Sequence, residues 1–324
     1  MNLTKDDAKI NIKYLFTGIA RCIYNFLFYI LNNIFRFRNN SKGRKAYLNV
    51  LNKTKLSKLV LEANIEIKKN GYFVLDGFFD DDKQFNSIIR QANKLWDSKN
   101  YINTNDNNFN HEKKLRISHP LSNINGLVDL VFNETIIGIV SHYKKIIPFF
   151  VISMYKTVPF LKPIGSSNFH QDQFGDFSIF IVLHDITLKH GPTQYIKGSH
   201  NTFFKFTDHY FFKWLFSKIS TQKEYSFYEE ENVKNVYEKN QWKTIELKKG
   251  SIAMLDVTGI HRGPHWNSEE VKRLERKVIH IVGREKVING SGDLSFQKMK
   301  PLNLKAVSNP WAEAAIEVGN FEIL

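Results

Sequence analysis

The sequence predicts an α+β fold, in which a mainly β core of the jelly-roll type is supported by helices from the first half of the chain. Helical periodicity dominates up to about residue 147, and from Pro148 onward short apolar segments separated by turns are typical of strands. A helical half followed by many short strands favours a double-sheet barrel covered by helices. With 324 residues, 42% of them hydrophobic, the chain is long enough for one large core.

The cysteine count and the charge restrict the surroundings of the protein. The single cysteine, Cys22, excludes an internal disulfide and a cysteine-based zinc or iron–sulfur site, so a reducing, cytoplasmic compartment is expected. The formal net charge of +14 favours anionic partners such as a phosphorylated substrate, an anionic membrane face or nucleic acid. Compositional drift in a chain rich in Lys, Asn, Ile and Phe is an equally good explanation of this charge.

Residues 14–35 form an apolar, aromatic segment that predicts an amphipathic helix, because its few polar residues share one stripe. An arginine near its middle argues against a signal peptide, and its polar residues argue against a membrane span. Basic residues follow directly, so residues 14–38 suit a helix lying on the cytoplasmic face of a membrane. The alternative is packing against the domain or a second subunit. We therefore expect residues 1–45 to be an extension of a domain over 46–324.

The remaining elements of the first half follow from capping and turn residues. The expected order is a helix over Lys53–Lys69 ended by Asn70-Gly71, a strand over Tyr72–Phe79, a helix capped by Asp80–Asp82 and reaching Trp96, an Asn-rich loop over 97–113, and helical periodicity from Ile124 to Ile147.

The second half predicts strands at Phe149–Val158, from His170 onward, and at Phe177–Ile186, Gln194–Ile196, Thr244–Leu247, Ile252–Asp256 and Lys277–Val282. Residues 201–240 interrupt these strands with an aromatic run and then an acidic one. Such a long insertion is typical of a lid over a bulky substrate, but a helix that covers the sheet would contain the same aromatic residues as core.

The segment Phe169-His170-Gln171-Asp172 contains the strongest candidate site. Side chains two positions apart lie on one face of a strand, so His170 and Asp172 can bind one ion together. A second imidazole, His261, follows a later strand between Gly259 and Gly263. Two histidines and one carboxylate with open positions opposite them are the ligand set of non-haem Fe(II) oxygenases.

Four stretches together resemble the phytanoyl-CoA dioxygenase family of Fe(II)- and 2-oxoglutarate-dependent oxygenases. They are Gly71–Phe78, Phe169–Asp172, Leu183–Thr187 with Gly191–His200, and Gly250–Asp256 with Gly259–Gly263. The resemblance covers about residues 70–283 and implies a double-stranded β-helix, the cupin-like form of the jelly roll. It also implies that Fe(II), 2-oxoglutarate and O₂ are used, and that succinate and CO₂ are released while a substrate is hydroxylated.

Carried onto this sequence, the resemblance implies that His170, Asp172 and His261 are the iron ligands and catalytic residues. It also implies an arginine at the start of the strand after His261, which binds the distal carboxylate of 2-oxoglutarate. Arg276 is our choice because a good strand follows it, and Arg273 is its competitor. Thr193, Tyr155 and Lys156 are weaker candidates for further contacts to the cosubstrate. The presence of Asp172, which related halogenases replace, favours hydroxylation.

The substrate is expected to be a small or lipid-like molecule, and an anionic or lipid-linked one would agree with the basic charge. Two other functions compete with this reading. One is a catalytically inactive relative that serves as a binding module, against which the complete ligand set argues. The other is an oxygenase acting on nucleic acid. Its weakness is that the positive charges are spread along the chain instead of being gathered with aromatic residues, so no nucleic-acid partner is expected.

Overall fold

The computed structural model describes residues 41–104, 114–159, 167–172, 176–201, 227–228, 230–263, 274–284 and 309–319. Three sequence predictions lie outside these described residues: the amphipathic helix over 14–35 with its membrane contact, the aromatic run of the insertion, and Arg273. In the parts of the chain that the structure describes, every helix is too short or too polar to cross a bilayer.

Eight α-helices are found in the described parts. They are α1 (Ser41–Lys53), α2 (Lys58–Asn70), α3 (Lys83–Asp97), α4 (Pro120–Asn123), α5 (Leu127–Val131), α6 (Glu134–Lys144), α7 (Glu230–Lys234) and α8 (Pro310–Gly319). Local chemistry explains their ends. The side chains of Ser57 and Asp82 accept hydrogen bonds from the first turns of α2 and α3. Helix α2 ends at Gly71, whose φ of 87° is the left-handed conformation that glycine adopts without strain.

Two helical predictions need correction. The helix expected over Lys53–Lys69 begins only at Lys58, because Ser57 caps it, and Lys53 is the last residue of α1. Ala46, Tyr47 and Val50 of helix α1 pack in the same core cluster as the helices and strands that follow. The periodic stretch from Ile124 to Ile147 contains α5 and α6 and is interrupted at Asn133, which caps α6 with its side chain.

Twelve strands form two antiparallel sheets in the described residues. They are β1 (Tyr72–Leu75), β2 (Ile102–Thr104), β3 (Lys114–Arg116), β4 (Phe149–Thr157), β5 (Phe169–His170), β6 (Phe177–Val182), β7 (Thr193–Ile196), β8 (Phe227–Tyr228), β9 (Trp242–Ile245), β10 (Ile252–Asp256), β11 (His261–Arg262) and β12 (Arg276–Arg284). The seven-stranded sheet has the order β1-β10-β6-β12-β4-β3-β2, and the five-stranded sheet has the order β8-β5-β11-β7-β9.

Most strand predictions agree with these bounds, and the differences have local causes. Strand β1 stops at Leu75 because Asp76 and Gly77 turn the chain, and the Ser251 hydroxyl donates to Asp76 and accepts from the Gly77 amide. Strand β6 stops at Val182, and Ile186 forms only an isolated bridge to Leu247. The loop expected over 97–113 contains β2, which pairs with β3.

The two faces of the seven-stranded sheet have different partners. Ile279 and Ile281 of β12 pack with the helices in the larger core cluster. Val278 points the other way and packs with Tyr195 and Ile245 of the five-stranded sheet in a second cluster. The coarser fold prediction, helices combined with antiparallel sheets and N-terminal helices supporting them, is confirmed. The site described next lies between the sheets.

Candidate metal centre

His170, Asp172 and His261 converge at adjacent strands of the five-stranded sheet. Strand β5 pairs with β11 so that His170 lies opposite His261, and the two imidazole centroids are 4.4 Å apart. Asp172 follows β5, and its amide donates to the Val257 carbonyl at 2.8 Å. The carboxylate oxygens of Asp172 are 3.7 Å from Nε2 of each histidine. One ligand atom from each residue lies within 4.8 Å of the others.

Backbone carbonyls orient both imidazoles. Nδ1 of His170 lies 2.7 Å from the Asn168 carbonyl, and Nδ1 of His261 lies 2.9 Å from the Gly259 carbonyl. A carbonyl oxygen only accepts, so Nδ1 is the donor in each ring, and Nε2 is the nitrogen that faces Asp172. Both histidines are buried while the Asp172 side chain is 45% exposed. The three donors therefore point at one spot that is reached from one side.

A buried network fixes the turn that carries His261. The Asp256 carboxylate accepts from the hydroxyls of Tyr143 and Thr258, and the Asp256 carbonyl accepts from the hydroxyl of Tyr195. Burial alone would raise the pKa of Asp256, but the charge of Lys144 and these hydrogen bonds hold it below its usual value. Asp256 is therefore ionised, and it holds the turn in one conformation.

Tyr195 is fully buried and lies against two glycines of the predicted motifs. A β-carbon at Gly259 or at Gly71 would overlap the Tyr195 hydroxyl. Burial raises the pKa of Tyr195 well above its usual value, so the hydroxyl keeps its hydrogen and donates it. Both glycines are needed for close approach, as the glycine pattern of the sequence indicates.

Arg276 begins β12 and lies between the two sheets with 5% of its surface exposed. Its NH1 group donates to the Gly191 carbonyl and to the Thr193 hydroxyl, both at 3.3 Å. Its Nε is buried and has no hydrogen-bond partner in the described part of the chain. Thr193 and Arg276 also line a small cavity whose other walls are apolar. The structure thus brings Thr193 and Arg276 together.

Tyr155 and Lys156 lie on opposite faces of β4. Tyr155 is buried between the sheets and lies edge-on to the His280 ring at 6.1 Å between centroids. Lys156 points to the other face and forms an ion pair with Glu275 at 3.1 Å. The register places Thr157, not Tyr155, directly opposite Arg276. Thr157 is fully buried, and its hydroxyl has no hydrogen-bond partner among the described residues.

No local sequence pattern indicates the cluster of charged residues around His280. The His280 ring stacks on the Phe180 ring, with 4.4 Å between centroids. Its Nε2 forms a hydrogen bond with the Ser178 hydroxyl at 3.1 Å. Burial, together with nearby cations, lowers the pKa of His280 well below its usual value, so this imidazole is neutral. The cations are Lys114, Arg116, Arg276 and Arg284. They come from β3 and β12, and only strand register brings them together.

Asp176 and Arg284 form a further pair near the triad. The Asp176 carboxylate lies 3.3 Å from Nε of Arg284, and both side chains are mostly buried. Burial raises the pKa of Asp176 to about 6, although the charge of Arg284 acts in the opposite direction, and the negative charge of Asp172 adds to the rise. Asp176 therefore lies within electrostatic reach of the triad.

The donor set fits the groups that the sequence resemblance implies. Two imidazoles and one carboxylate on one face are suited to Fe(II), and such a face leaves coordination positions for other ligands. A buried arginine with an unused Nε donor fits a carboxylate, because the guanidinium fork pairs with two oxygens.

Comparison with known proteins identifies one family. The family model described as phytanoyl-CoA dioxygenase (PhyH) matches residues 67–274. No curated protein matches the chain.

Solved structures similar to the chain include three proteins that depend on, or were crystallised with, 2-oxoglutarate (alpha ketoglutarate). The carbocyclase SnoK from nogalamycin biosynthesis is 15% identical, with a TM-score of 0.47 over 73% of this chain and 89% of that one. EctD from S. alaskensis, with 2-oxoglutarate and 5-hydroxyectoine, is 13% identical, with a TM-score of 0.45. The match covers 71% of this chain and 76% of EctD. HygX from Streptomyces hygroscopicus, with nickel and 2-oxoglutarate, is 12% identical, with a TM-score of 0.43. The match covers 71% of this chain and 88% of HygX.

Proposed function

Since the chain belongs to the phytanoyl-CoA dioxygenase family, we propose that it is an Fe(II)- and 2-oxoglutarate-dependent oxygenase that hydroxylates a small molecule. The observation that carries the proposal is the placement of Nε2 of His170 and of His261 at 3.7 Å from the Asp172 carboxylate. In this proposal the two antiparallel sheets are the halves of a double-stranded β-helix, because Val278 and Tyr195, from opposite sheets, share one core cluster.

His170, Asp172 and His261 are assigned as the metal ligands and catalytic residues. Their geometry supports this role because both imidazoles already turn Nε2 toward the carboxylate. The hydrogen bonds to the Asn168 and Gly259 carbonyls fix each ring before any ion binds. Binding the metal therefore requires little rearrangement of the histidines.

Arg276 is assigned to the distal carboxylate of 2-oxoglutarate, with Thr193 beside it. The buried Nε of Arg276 is a donor that a carboxylate would satisfy, and an unsatisfied buried donor costs about 1–3 kcal/mol. Gly263 keeps this region open, because a β-carbon there would lie 3.3 Å from NH1 of Arg276 and 3.0 Å from the Thr193 hydroxyl. Tyr155 contributes an apolar wall to the same interior and is assigned no direct bond to the cosubstrate.

Bound iron and 2-oxoglutarate supply the oxidising chemistry, in which O₂ converts 2-oxoglutarate to succinate and CO₂ and adds one oxygen atom to the substrate. The chain itself binds and orients the cosubstrate and the substrate, and it excludes water from them. Arg276 would hold one end of the cosubstrate and the triad would hold the metal, while the apolar residues Val182, Ile245 and Val278 line the small cavity beside Arg276 and keep water out of it. Retention of Asp172 as a ligand favours hydroxylation as the outcome.

The direct test is anaerobic binding of Fe(II) followed by 2-oxoglutarate, monitored by calorimetry and by visible absorbance. Wild-type protein should bind both, and Asp172→Ala should lose at least about 100-fold in metal affinity while its far-UV circular dichroism stays unchanged. His190→Ala is the matched control, since His190 lies in the turn before β7 and bonds Thr187. Full metal affinity in Asp172→Ala would refute the ligand assignment.

The substrate is sought by succinate release from 2-oxoglutarate in the presence of fractionated small molecules from cell extracts. The lipid-like character of the substrate stays a prediction. Membrane contact through residues 14–38 also stays a prediction, because that segment lies outside the described residues. Equal binding of the full chain and of a chain lacking residues 1–45 to vesicles with anionic lipids would contradict the membrane prediction.

A further inference from the structure

Arg262 follows the metal-ligand candidate His261 on β11 but points to the opposite face of the five-stranded sheet. Successive side chains of a strand alternate, so the two residues of β11 face opposite ways, and so do Phe169 and His170 of β5. On the inner face, the centroids of the two imidazoles are 4.4 Å apart. On the outer face, the guanidinium carbon of Arg262 lies 4.1 Å from the centroid of the Phe169 ring. The two strands that carry the histidines are thus joined by a side-chain contact on each face.

The guanidinium of Arg262 also links β11 to two further elements. Its Nε donates to Oε1 of Gln194 on β7 at 2.8 Å, and its NH1 donates to Oε2 of Glu230 in α7 at 2.9 Å. Strand β7 also carries Thr193, whose hydroxyl accepts from Arg276. Arg262 therefore connects the strands of both histidines with the strand beside the proposed cosubstrate site and with α7.

These contacts are made in mostly apolar surroundings. The Arg262 side chain is 6% exposed, whereas that of Glu230 is 41% exposed. Although burial acts to raise it, hydrogen bonds from Lys234 and Arg262 hold the pKa of Glu230 below its usual value, so this carboxylate is ionised. The Phe169 ring under Arg262 belongs to a small core cluster with Ile196, Val233, Tyr237 and Ile260. Arg262 is therefore a buried cation whose ionised partner lies at the edge of an apolar cluster.

Such an ion pair is a poor source of stability but a good source of a single arrangement. The loss of hydration on burying two charges offsets most of their attraction, and apolar replacements are often as stable. A guanidinium, however, has donors in fixed directions, so it is satisfied only when its partners keep one relative position. The contacts of Arg262 thus indicate that it fixes the positions of β5, β7 and β11 relative to one another.

Those positions matter because the strands that carry the histidines are short. Strands β5 and β11 have two residues each and pair at one position, with His170 opposite His261. A slip of one residue would turn an imidazole to the outer face and bring Phe169 or Arg262 inward. The slip would also break the outer contacts of the guanidinium. These contacts therefore oppose the movement that would separate the two histidines.

We propose that Arg262, paired with Glu230, is a positioning residue that keeps His170 and His261 in register for metal binding. The inference rests on the proposed function, because it concerns the metal ligands of that same site. Arg262 acts through β5 and β11 and touches neither metal nor cosubstrate. Removing the ion pair should therefore weaken metal binding more than it weakens the fold.

The test uses the full-length double variant Arg262→Met, Glu230→Gln, which keeps an unbranched side chain over Phe169 and leaves no buried charge. Its free energy of unfolding, from urea denaturation of metal-free protein, should be at least that of wild-type protein. Its Fe(II) affinity, from anaerobic calorimetry, should fall about 10-fold, as for other residues that orient metal ligands.

Two single variants sharpen this comparison. Arg262→Lys keeps the charge but loses the fork, so its Fe(II) affinity should lie between those of wild-type protein and the double variant. Lys234→Gln is the matched control, because Lys234 forms the other ion pair of Glu230, at 2.8 Å, with a side chain that is 60% exposed. Its Fe(II) affinity should equal that of wild-type protein.

A second readout needs no metal. The 4.4 Å separation of the two imidazoles predicts a nuclear Overhauser effect between ring hydrogens of His170 and His261 in the metal-free protein. The effect should be present in wild-type and Lys234→Gln protein and should weaken in the double variant, because the register is then no longer fixed. If the double variant fails to fold, Arg262→Lys decides by the same two measurements.

Two results would overturn the inference. One is wild-type Fe(II) affinity with an unchanged Overhauser effect in the variants of Arg262. The other is a loss of affinity that is matched by an equal loss of stability, which would make the ion pair part of the fold alone. Failure of the proposed function gives a different result, since wild-type protein would then bind no Fe(II). The Overhauser effect would still decide whether Arg262 sets the contact between the histidines.

Discussion

The two sheets present opposite chemistry to the space between them. The five-stranded sheet contributes the two imidazoles and the carboxylate of His170, His261 and Asp172, whereas the seven-stranded sheet contributes the four cations that surround His280. Metal ligands need free lone pairs, and anion sites need hydrogen-bond donors. Placing the two sets on facing sheets allows both kinds of site in one interior without pairing the carboxylate of the triad to an arginine.

The two regions also differ in how they are held. Backbone carbonyls of Asn168 and Gly259, one for each histidine, orient the triad. The cations are placed by strand register and by contacts with aromatic rings, such as Phe180 under Arg276 at 5.7 Å. The triad should therefore tolerate little change in its supporting turn, whereas single cations should be removable with the fold intact. The predictions below test this difference.

The largest effect is expected at Arg276. Arg276→Gln should lower 2-oxoglutarate affinity about 100-fold, or about 3 kcal/mol, because a bidentate charged pair is lost in a buried site. Fe(II) affinity should stay within about twofold, since the triad belongs to the other sheet. Calorimetric titrations of both ligands measure the two effects, and Arg276→Lys should recover only part of the affinity. A parallel loss of metal affinity would contradict the separation of the two regions.

The sequence was sufficient for the triad but not for the cations, for a physical reason. His170 and Asp172 are two apart on one extended segment, so a local rule places them on one face, and the family resemblance, together with the flanking Gly259 and Gly263, pointed to His261. Lys114 and Arg284 are distant in the chain, and only the pairing of β3 with β4 and of β4 with β12 brings them to one buried imidazole. A register shift of one residue would turn each to the other face, and no local pattern fixes that register.

The missed helix boundaries have the same origin on a smaller scale. The periodicity of Lys53–Lys69 continues across Ser57, but the side chain of Ser57 caps α2 and thereby separates it from α1. Serine caps helices but is also tolerated inside them, so the pattern alone did not decide between one helix and a new start at Ser57. Asp82 was readable because three consecutive aspartates precede α3.

A smaller effect is expected from crowding the turn that supports the triad. Gly259→Ala places a β-carbon where the Tyr195 hydroxyl lies, so the free energy of unfolding should fall by about 2 kcal/mol, a typical cost of overpacking. Urea denaturation measures this change, and metal affinity should fall with it because His261 shifts. Gly138→Ala in α6 is the control, since its β-carbon would meet Val60 at an ordinary 3.4 Å. An unchanged Gly259→Ala protein would mean that the turn is not rigid.

The smallest effect concerns pH and the Asp176–Arg284 pair, which lies on the cationic sheet but near the triad. Burial raises the pKa of Asp176 from 3.8 to about 6, so the folded state binds this proton more tightly than the unfolded state does. Its stabilising contribution is therefore complete below about pH 4 and is lost as the pH rises through 6. Asp176→Asn should remove a contribution on the order of 1 kcal/mol to the pH dependence of unfolding between pH 4 and 6. Urea denaturation series at several pH values, on metal-free wild-type and Asp176→Asn protein, measure this difference. If the free energy of unfolding changes with pH equally in the two proteins, the charge of Arg284 cancels the effect of burial on Asp176.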